Sequence, residues 1–186
     1  MDQLELIATP PTTWETSDDW ETPDELAKRV AAMVRADDRF IVEPSAGTGR
    51  VAAYLPKGAL CIEQNSCRCS IGAEMYGQHQ WMLADFLTVD LGEYPRPDLV
   101  VGNPPFSLWT EFLIHGLELI HGGGRVLFIG PCDQFHKPTV WKKLGPWPER
   151  IEVIAHPIIG RVAYLKDAIP VHGRQVYDSI FEVVKW

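Results

Sequence analysis

Short apolar runs recur along the chain, and polar or glycine-rich segments separate them. Runs of this length, bounded by turn residues, are typical of buried strands. We predict strands at residues 40–42, 60–62, 81–83, 99–101, 126–129, 151–154 and 179–184. Apolar residues at helical spacing, or a helix start after a turn, predict helices at 23–34, 50–55, 66–76 and 107–120. Residues 135–147 are predicted to be irregular, and residues 157–176 form a loop long enough to suggest a function.

The first predicted helix carries a capping signal. Thr22 is the expected N-cap residue, Pro23 fits the first helical position and Glu25 completes a capping box. Ser107 is the expected cap of the last predicted helix. Residues 1–19 are polar and rich in Pro and Thr, so we expect a flexible arm there.

The composition fits a soluble globular protein. The chain has 186 residues, 46% hydrophobic and 23% charged, which suits one domain with a full core. No apolar run reaches membrane-spanning length, and residues 1–10 lack the pattern of a signal peptide. The cysteines form no C-x-x-C pair, so we expect neither a zinc site nor a disulfide framework, and a reducing cytosol is the expected compartment.

The charge is unfavourable for a nucleic-acid-binding protein as a whole, but it is unevenly distributed. The net charge of −8 divides into −7 for residues 1–38, −4 for residues 39–124 and +3 for residues 125–186. A polyanion would therefore be expected to meet the last third, where basic residues are interleaved with aromatic ones. The predicted nucleic-acid contacts are Lys137, Lys142, Lys143, Arg161, Tyr164, Lys166 and Arg174.

A glycine-rich turn at residues 43–50 follows the first predicted strand. A strand, a tight turn and a helix N-terminus can hold a nucleotide-like ligand, with Gly47 and Gly49 letting the backbone approach it and free N–H groups facing it. The third glycine of the dinucleotide pattern is absent, because Ala52 stands there, so we do not expect a nicotinamide site. Glu43 would repel phosphates and suits a cationic or amine-bearing ligand.

Two further acidic residues stand at the ends of the next two predicted strands. Glu63 is placed after the second strand, where an acidic residue can grip a ribose diol. Asp85 follows the third strand and can accept a hydrogen bond from an exocyclic amine, while Phe86 can cover a purine face. Acidic residues at three successive strand ends indicate a shared binding site.

The fourth predicted strand ends in Gly102 and the sequence Asn103, Pro104, Pro105, Phe106. Two consecutive prolines cannot donate hydrogen bonds to a sheet, so the backbone must turn sharply here. The loop offers an amide side chain, carbonyl groups without competing N–H groups, and an aromatic ring. Such a loop suits a flat substrate that carries an NH2 group.

In order and spacing, these motifs resemble those of the S-adenosylmethionine-dependent amino-methyltransferases, in particular the small phage-type DNA adenine-N6 methyltransferases. The resemblance covers residues 19–130 well and 150–186 loosely. It implies an α/β fold with a doubly wound Rossmann-like sheet, mostly parallel with one antiparallel strand. It also implies a single methyltransferase domain over residues 20–186, without the separate target-recognition domain that the DNA enzymes usually carry.

The resemblance also assigns roles to individual residues. The cofactor would be S-adenosyl-L-methionine, with no metal ion. Its binding residues would be Thr22, Pro23, Glu43, Pro44, Ser45, Gly47, Gly49, Glu63, Gln64, Asp85, Phe86 and Asn103. The catalytic motif would be Asn103, Pro104, Pro105 and Phe106. The Asn103 side chain and the Pro104 carbonyl would accept hydrogen bonds from the amine of a flipped adenine, and Phe106 would stack on the base.

Other functions stay open at this point. The acceptor could be adenine in RNA, or the side-chain amide of a protein glutamine. Tyr is frequent in place of Phe106 in the glutamine enzymes, which favours adenine, whereas the acidic net charge favours a protein acceptor. Alternatively, the chain could be a cofactor-binding subunit of a larger assembly. For a DNA enzyme we expect a cytoplasmic location, in a bacterium or a phage-infected host cell, and a homodimer or a partner subunit could supply specificity.

Overall fold

The computed structural model describes residues 20–158, 162–166, 169–170 and 177–186. Seven strands form one sheet: β1 (Ile41–Glu43), β2 (Leu60–Glu63), β3 (Gln80–Leu83), β4 (Leu99–Gly102), β5 (Arg125–Pro131), β6 (Ile151–Pro157) and β9 (Asp178–Lys185). Their order in the sheet is β3-β2-β1-β4-β5-β9-β6. β9 runs antiparallel to both of its neighbours, and the other pairs are parallel. The predicted fold class is therefore confirmed.

Helices pack on both faces of this sheet. They are α1 (Asp24–Ala31), α2 (Ser66–Met75), α3 (Trp109–Leu119) and α4 (Pro138–Leu144). In addition, β7 (Leu165–Lys166) pairs antiparallel with β8 (Ile169–Pro170) in a separate two-stranded sheet. Among the described residues, none of the helices combines the length and apolarity that a membrane span requires.

Alternate residues of the central strands face opposite cores. Val100 of β4 belongs to the core that also contains Trp109 and Leu113 of α3. Leu99 and Val101, on the other face of the same strand, belong to the core beneath α1. Burial on both faces explains why these strands appear as uninterrupted apolar runs, and hence why the sequence predicts them.

The helix starts differ from their predictions. Pro23 is the N-cap residue of α1, and the Thr22 side chain makes no capping hydrogen bond. The predicted capping box is wrong because the helix begins one residue later, so Thr22 and Glu25 are out of register; Glu25 instead accepts a hydrogen bond from Lys28 Nζ at 2.8 Å. Likewise, Ser107 lies within a short 3-10 turn, and Leu108 is the N-cap of α3.

Two other helix predictions also change. Residues predicted as a helix at 50–55 form only a 3-10 turn at Ala52–Tyr54. The segment predicted to be irregular contains α4, which starts with Pro138 at its first position. This helix is too short for a full apolar period: among its residues only Val140 and Leu144 are buried.

A buried ion network joins the starts of the strands, at the opposite end of the sheet from their carboxyl ends. The Arg125 side chain, 2% exposed, donates hydrogen bonds to Asp38 and to Glu182. Glu182 also accepts one from Arg35 at 2.6 Å. Burial alone would raise the pKa of Glu182, but the hydrogen bond and charge of Arg125, together with Arg35, lower it below the usual value.

Candidate active site

A cavity of about 210 Å³ opens at the carboxyl ends of β1, β2 and β4. It spans the point where the strand order reverses, between β1 and β4, which is where open α/β sheets bind ligands. The predicted site residues that line it are Thr22, Glu43, Pro44, Ser45, Gly47, Glu63, Gln64, Asp85, Phe86, Asn103 and Pro105. The structure thus brings together residues from five separate segments of the chain. Pro23, Gly49, Pro104 and Phe106 are not part of this lining.

The glycines of the turn have different structural roles. Gly47 has φ +57°, and a Cβ atom there would meet nothing within 4 Å, so its backbone is open to the cavity. Gly49 has φ +96°, and a Cβ atom there would lie 2.4 Å from the Tyr76 ring. Gly49 therefore allows the turn to pack closely against Tyr76.

Glu63 holds the glycine-rich turn in place. Its Oε2 accepts a hydrogen bond from Gly47 N at 2.7 Å, and its Oε1 accepts one from Asn65 N at 2.8 Å. Gly49 N donates to Ala46 O at 2.8 Å. The N–H groups of both glycines are therefore engaged within the chain, contrary to the prediction that they are free to face a ligand. Each carboxylate oxygen of Glu63 has a further lone pair with which it can accept from a hydroxyl group.

Glu43 is the most deeply buried carboxyl group of the site. It is 1% exposed at the end of β1, and the Cys61 thiol lies 3.9 Å from its Oε2. Burial raises the pKa of Glu43 well above its usual value, and a hydrogen bond from the Ala52 backbone offsets only part of that effect. A cationic group in the cavity would favour the ionised form, so this carboxyl group suits an ammonium ligand.

Asp85 and Phe86 meet the cavity in different ways. Asp85 is exposed, and its Oδ1 accepts a hydrogen bond from Leu87 N at 3.0 Å. Asp85 is also part of the cavity lining. Phe86 is 2% exposed, because its ring packs against Phe112 at 5.2 Å and His115 at 4.9 Å. Little of the Phe86 ring is left to cover a purine.

Asn103 follows β4 and lines the cavity. The Ser45 hydroxyl donates a hydrogen bond to its backbone carbonyl at 3.3 Å, which ties the loop to the glycine-rich turn. The Asn103 Oδ1 atom is buried, and it has no hydrogen-bond partner within the described part of the chain. An unpaired buried acceptor costs about 1–3 kcal/mol. A ligand that donates a hydrogen bond at this point would remove that cost.

Phe106 is supported from behind by aromatic residues. Its ring meets Tyr164 edge to face, with centroids 5.9 Å apart. Tyr164 is 3% exposed, donates a hydrogen bond to Asp178 Oδ2 at 2.7 Å and stacks on Trp20 at 5.7 Å. The prediction that Tyr164 contacts nucleic acid at the surface is therefore wrong. The sequence places Tyr164 among basic residues and does not indicate that its side chain is buried.

The cavity also contains residues that sequence reasoning missed, chiefly Glu21 and Arg50. The Glu21 carboxylate accepts hydrogen bonds from Arg50 at 3.0 and 3.2 Å and from Thr48 at 3.1 Å. The Glu21 backbone forms an antiparallel bridge with Leu165. Local periodicity carries no signal for a pair so far apart in the chain. The one hint in the sequence is that Glu21 directly precedes Thr22, a predicted cofactor-binding residue.

Ion pairs reduce the charge that the predicted nucleic-acid surface can offer. Lys137 pairs with Asp133 at 3.1 Å, and Lys143 pairs with Glu111. Lys142 is exposed and makes no ion pair with the described residues. Lys166 is half-buried in β7, while Arg161 and Arg174 lie outside the described residues. Arg125 and Lys185 also count toward the +3 charge, yet Arg125 is buried and Lys185 donates to the last carbonyl groups of α3.

Comparisons with known proteins show the fold. No protein-family model and no curated protein sequence matches the chain. A Listeria monocytogenes protein assigned to the class I S-adenosylmethionine-dependent methyltransferases aligns with a TM-score of 0.70 and 17% identity over 91% of this chain. This chain spans 62% of that protein's length.

Two further solved structures are similar over most of the chain. An rRNA methylase from Streptococcus thermophilus has a TM-score of 0.60 and 12% identity, with 89% of this chain and 97% of that one covered. The 23S rRNA methyltransferase ErmE has a TM-score of 0.65 and 17% identity, with 87% and 68% covered. At these identities, the similarity shows a shared Rossmann-like methyltransferase fold.

Proposed function

We propose that the chain transfers a methyl group from S-adenosylmethionine to the exocyclic amine of adenine in DNA. The proposal rests on the buried, unpartnered Oδ1 atom of Asn103, which lies in the same cavity as the carboxyl groups of Glu43, Glu63 and Asp85. The shared methyltransferase fold supports the reaction type. We place the activity in a single domain over residues 20–186.

The lining of the cavity fits the cofactor group by group. Glu43 offers a buried carboxyl group to the ammonium of the methionine part, and Glu63 offers acceptor oxygens to the ribose hydroxyl groups. Asp85 can accept from the adenine amine of the cofactor. S-adenosylmethionine supplies an electrophilic methyl group on its sulfonium.

The chain's own contribution to the chemistry is to orient and activate the acceptor amine. The lone pair of an adenine amine is delocalised into the ring, so the nitrogen is a weak nucleophile. Hydrogen bonds from its two N–H groups to Asn103 Oδ1 and to the Pro104 carbonyl would favour a pyramidal nitrogen, whose lone pair is free for in-line attack. The tie from Ser45 to the Asn103 carbonyl and the support of Phe106 by Tyr164 would keep this geometry rigid.

RNA is the second candidate acceptor. The Streptococcus thermophilus protein is an rRNA methylase and ErmE is a 23S rRNA methyltransferase, and both share this fold. Adenine in RNA presents the same amine to Asn103, and an unpaired base avoids the cost of flipping. The choice between the two acceptors therefore depends on the surface around the cavity rather than on the loop.

A methyl-transfer assay tests the proposal. The protein is incubated with tritium-labelled S-adenosylmethionine and, in parallel, with DNA, RNA and a mixture of proteins. Labelled N6-methyldeoxyadenosine in digested DNA is the expected product. Label in RNA alone would favour the second acceptor, and label in glutamine would overturn the adenine assignment. Cofactor binding without transfer to any acceptor would favour a cofactor-binding subunit.

A further inference from the structure

The rings of Trp20, Tyr164 and Phe106 connect two segments beside the cavity, residues 20–22 and the Asn103–Phe106 loop. Tyr164 stacks on Trp20 with centroids 5.7 Å apart and planes 28° from parallel. It also meets Phe106 at 5.9 Å with planes 83° apart. One residue thus contacts both the segment that precedes α1 and the Asn103–Phe106 loop, which are far apart in sequence.

Tyr164 is itself fixed to the large sheet. Its hydroxyl group donates a hydrogen bond to Asp178 Oδ2 at 2.7 Å, and both residues are buried. Asp178 is the first residue of β9 and pairs with Pro131 of β5. The adjacent Leu165 exchanges two backbone hydrogen bonds with Glu21, at 2.7 and 3.0 Å. Tyr164 is therefore a rigid support on which two less buried rings rest.

Both of those rings belong to segments that face the cavity. Trp20, Glu21 and Thr22 line it directly, on the side of the glycine-rich turn. Phe106 directly follows Pro105, which lines the cavity beside Asn103. We infer that Tyr164 is a positioning residue that couples residues 20–22 to the Asn103–Phe106 loop, so that cofactor and acceptor strengthen each other's binding. The identity of these two ligands rests on the proposed function.

The coupling follows from the contact geometry. A ligand that orders Trp20 against the face of the Tyr164 ring also fixes the orientation of that ring. Because Phe106 packs edge to face against the same ring, the position of Phe106 is then restricted as well. Ordering the loop first has the same effect on Trp20, because coupling between two binding events is reciprocal. An aromatic cluster that only fills the core would contribute to stability, but the order of residues 20–22 would then not affect the order of the Asn103–Phe106 loop.

The chain contains a matched control for this distinction. Phe40 and Tyr94 form another stacked pair, with centroids 5.9 Å apart, and neither residue lines the cavity. Tyr94→Leu removes the same type of ring contact as Tyr164→Leu. Both variants lose ring packing, but only Tyr164→Leu also loses a hydrogen bond to a buried carboxylate, so that loss needs a separate control. Tyr164→Phe keeps the ring and removes only the hydrogen bond to Asp178.

Amide hydrogen exchange tests the coupling without any ligand. The Leu108 amide, which donates to Pro105 O at 3.0 Å, reports on the loop. We expect Trp20→Ala to accelerate its exchange by about 3- to 10-fold, the size of one aromatic contact. The acceleration should persist in the Tyr94→Leu background and vanish in the Tyr164→Leu background. An unchanged Leu108 exchange rate in Trp20→Ala, or full acceleration in the Tyr164→Leu background, would overturn the inference.

Calorimetry then tests the coupling with ligands. The affinity for S-adenosylhomocysteine is measured with and without a saturating adenine-containing single-stranded DNA. We expect the DNA to raise the affinity of the wild type and of Tyr164→Phe about 3- to 10-fold, and that of Tyr164→Leu hardly at all. If the wild type binds both ligands independently, the coupling fails while the proposed function stands. If it does not bind S-adenosylhomocysteine, the proposed function fails, and the exchange rates still decide the coupling.

Discussion

Asn103 is the residue whose loss should separate cofactor binding from methyl transfer. Its Oδ1 atom is buried and lacks a partner in the described structure, and in the proposed function it accepts a hydrogen bond from the acceptor amine. An interaction that is strongest in the transition state lowers the rate when it is removed, and leaves cofactor affinity intact. We expect Asn103→Ala to lower the rate of methyl transfer about 100-fold or more, measured with labelled cofactor at saturation.

The other asparagine of the chain provides the control. Asn65 caps α2 by accepting a hydrogen bond from Arg68 N, and it does not line the cavity. Asn65→Ala should cost about 1 kcal/mol of stability and leave the rate of transfer near that of the wild type. A wild-type rate in Asn103→Ala would contradict the assigned role of the loop.

Asp85 should contribute to cofactor affinity through its carboxylate at the cavity wall. Replacing it with alanine would leave the adenine amine of the cofactor without an acceptor, and we expect a loss of about 1–3 kcal/mol in binding. Asp90 is the matched control, because its Oδ1 accepts from Gly92 N at 2.8 Å in the same kind of turn, outside the cavity. Calorimetry should show a reduced affinity of Asp85→Ala for the cofactor and an affinity of Asp90→Ala equal to that of the wild type. Equal affinities would remove Asp85 from the site.

At the scale of elements, the strands were predictable and the supporting contacts were not. The strands β1, β2 and β4 are buried on both faces, so their apolar runs are complete, and they lead to polar residues that line the cavity, namely Glu43, Glu63 and Asn103. The ends of α1 and α3 were misplaced, because capping depends on the backbone conformation at Pro23 and Leu108 rather than on residue type. Tyr164 was misassigned because its burial depends on β9 and on residues more than a hundred positions away.

The surface of α4 is the element on which nucleic-acid binding can be tested. Lys142 is exposed and unpaired within the described residues, whereas Lys143 already pairs with Glu111 of α3. A cation that contacts a phosphate releases a counterion, so its loss should weaken binding and lower the salt dependence by about one unit of slope. We expect this for Lys142→Glu, and a larger loss for the double reversal of Lys142 and Lys143, with DNA of any sequence.

Lys57 distinguishes a local contact from a general charge effect. It is exposed between the 3-10 turn at Ala52–Tyr54 and β2, near the amino ends of the strands, and it does not line the cavity. Lys57→Glu changes the net charge by the same amount as Lys142→Glu. Filter binding at several salt concentrations should show a steep loss only for Lys142→Glu. Equal effects of the two substitutions, or none, would exclude α4 as the nucleic-acid surface and favour the protein-acceptor function.

At the scale of the whole molecule, the charged residues at the two ends of the sheet differ in whether they are paired. The carboxyl ends of β1 and β2 present Glu43 and Glu63 to the cavity, and neither carboxyl group forms an ion pair with the described residues. At the amino ends, Arg125 is buried with Asp38 and Glu182, and all three are paired. Sequence alone counts these charges alike, and therefore it overestimates the positive charge that the last third of the chain can offer to a polyanion.

The Glu182 network should make folding stability depend on pH. Its folded-state pKa is lowered, chiefly by Arg125, so its stabilisation is complete above the unfolded value of about 4.3 and is lost as the pH falls through the folded value. Glu182→Gln keeps an acceptor oxygen for Arg125 but removes the negative charge that offsets the buried guanidinium, and we expect about 3 kcal/mol lower unfolding free energy at about pH 7. In urea titrations, this difference should shrink below about pH 4.

Glu152→Gln, at an exposed position on β6, should change stability by less than about 0.5 kcal/mol throughout. A difference for Glu182→Gln that stays constant with pH would mean that Glu182 is not ionised in the folded protein.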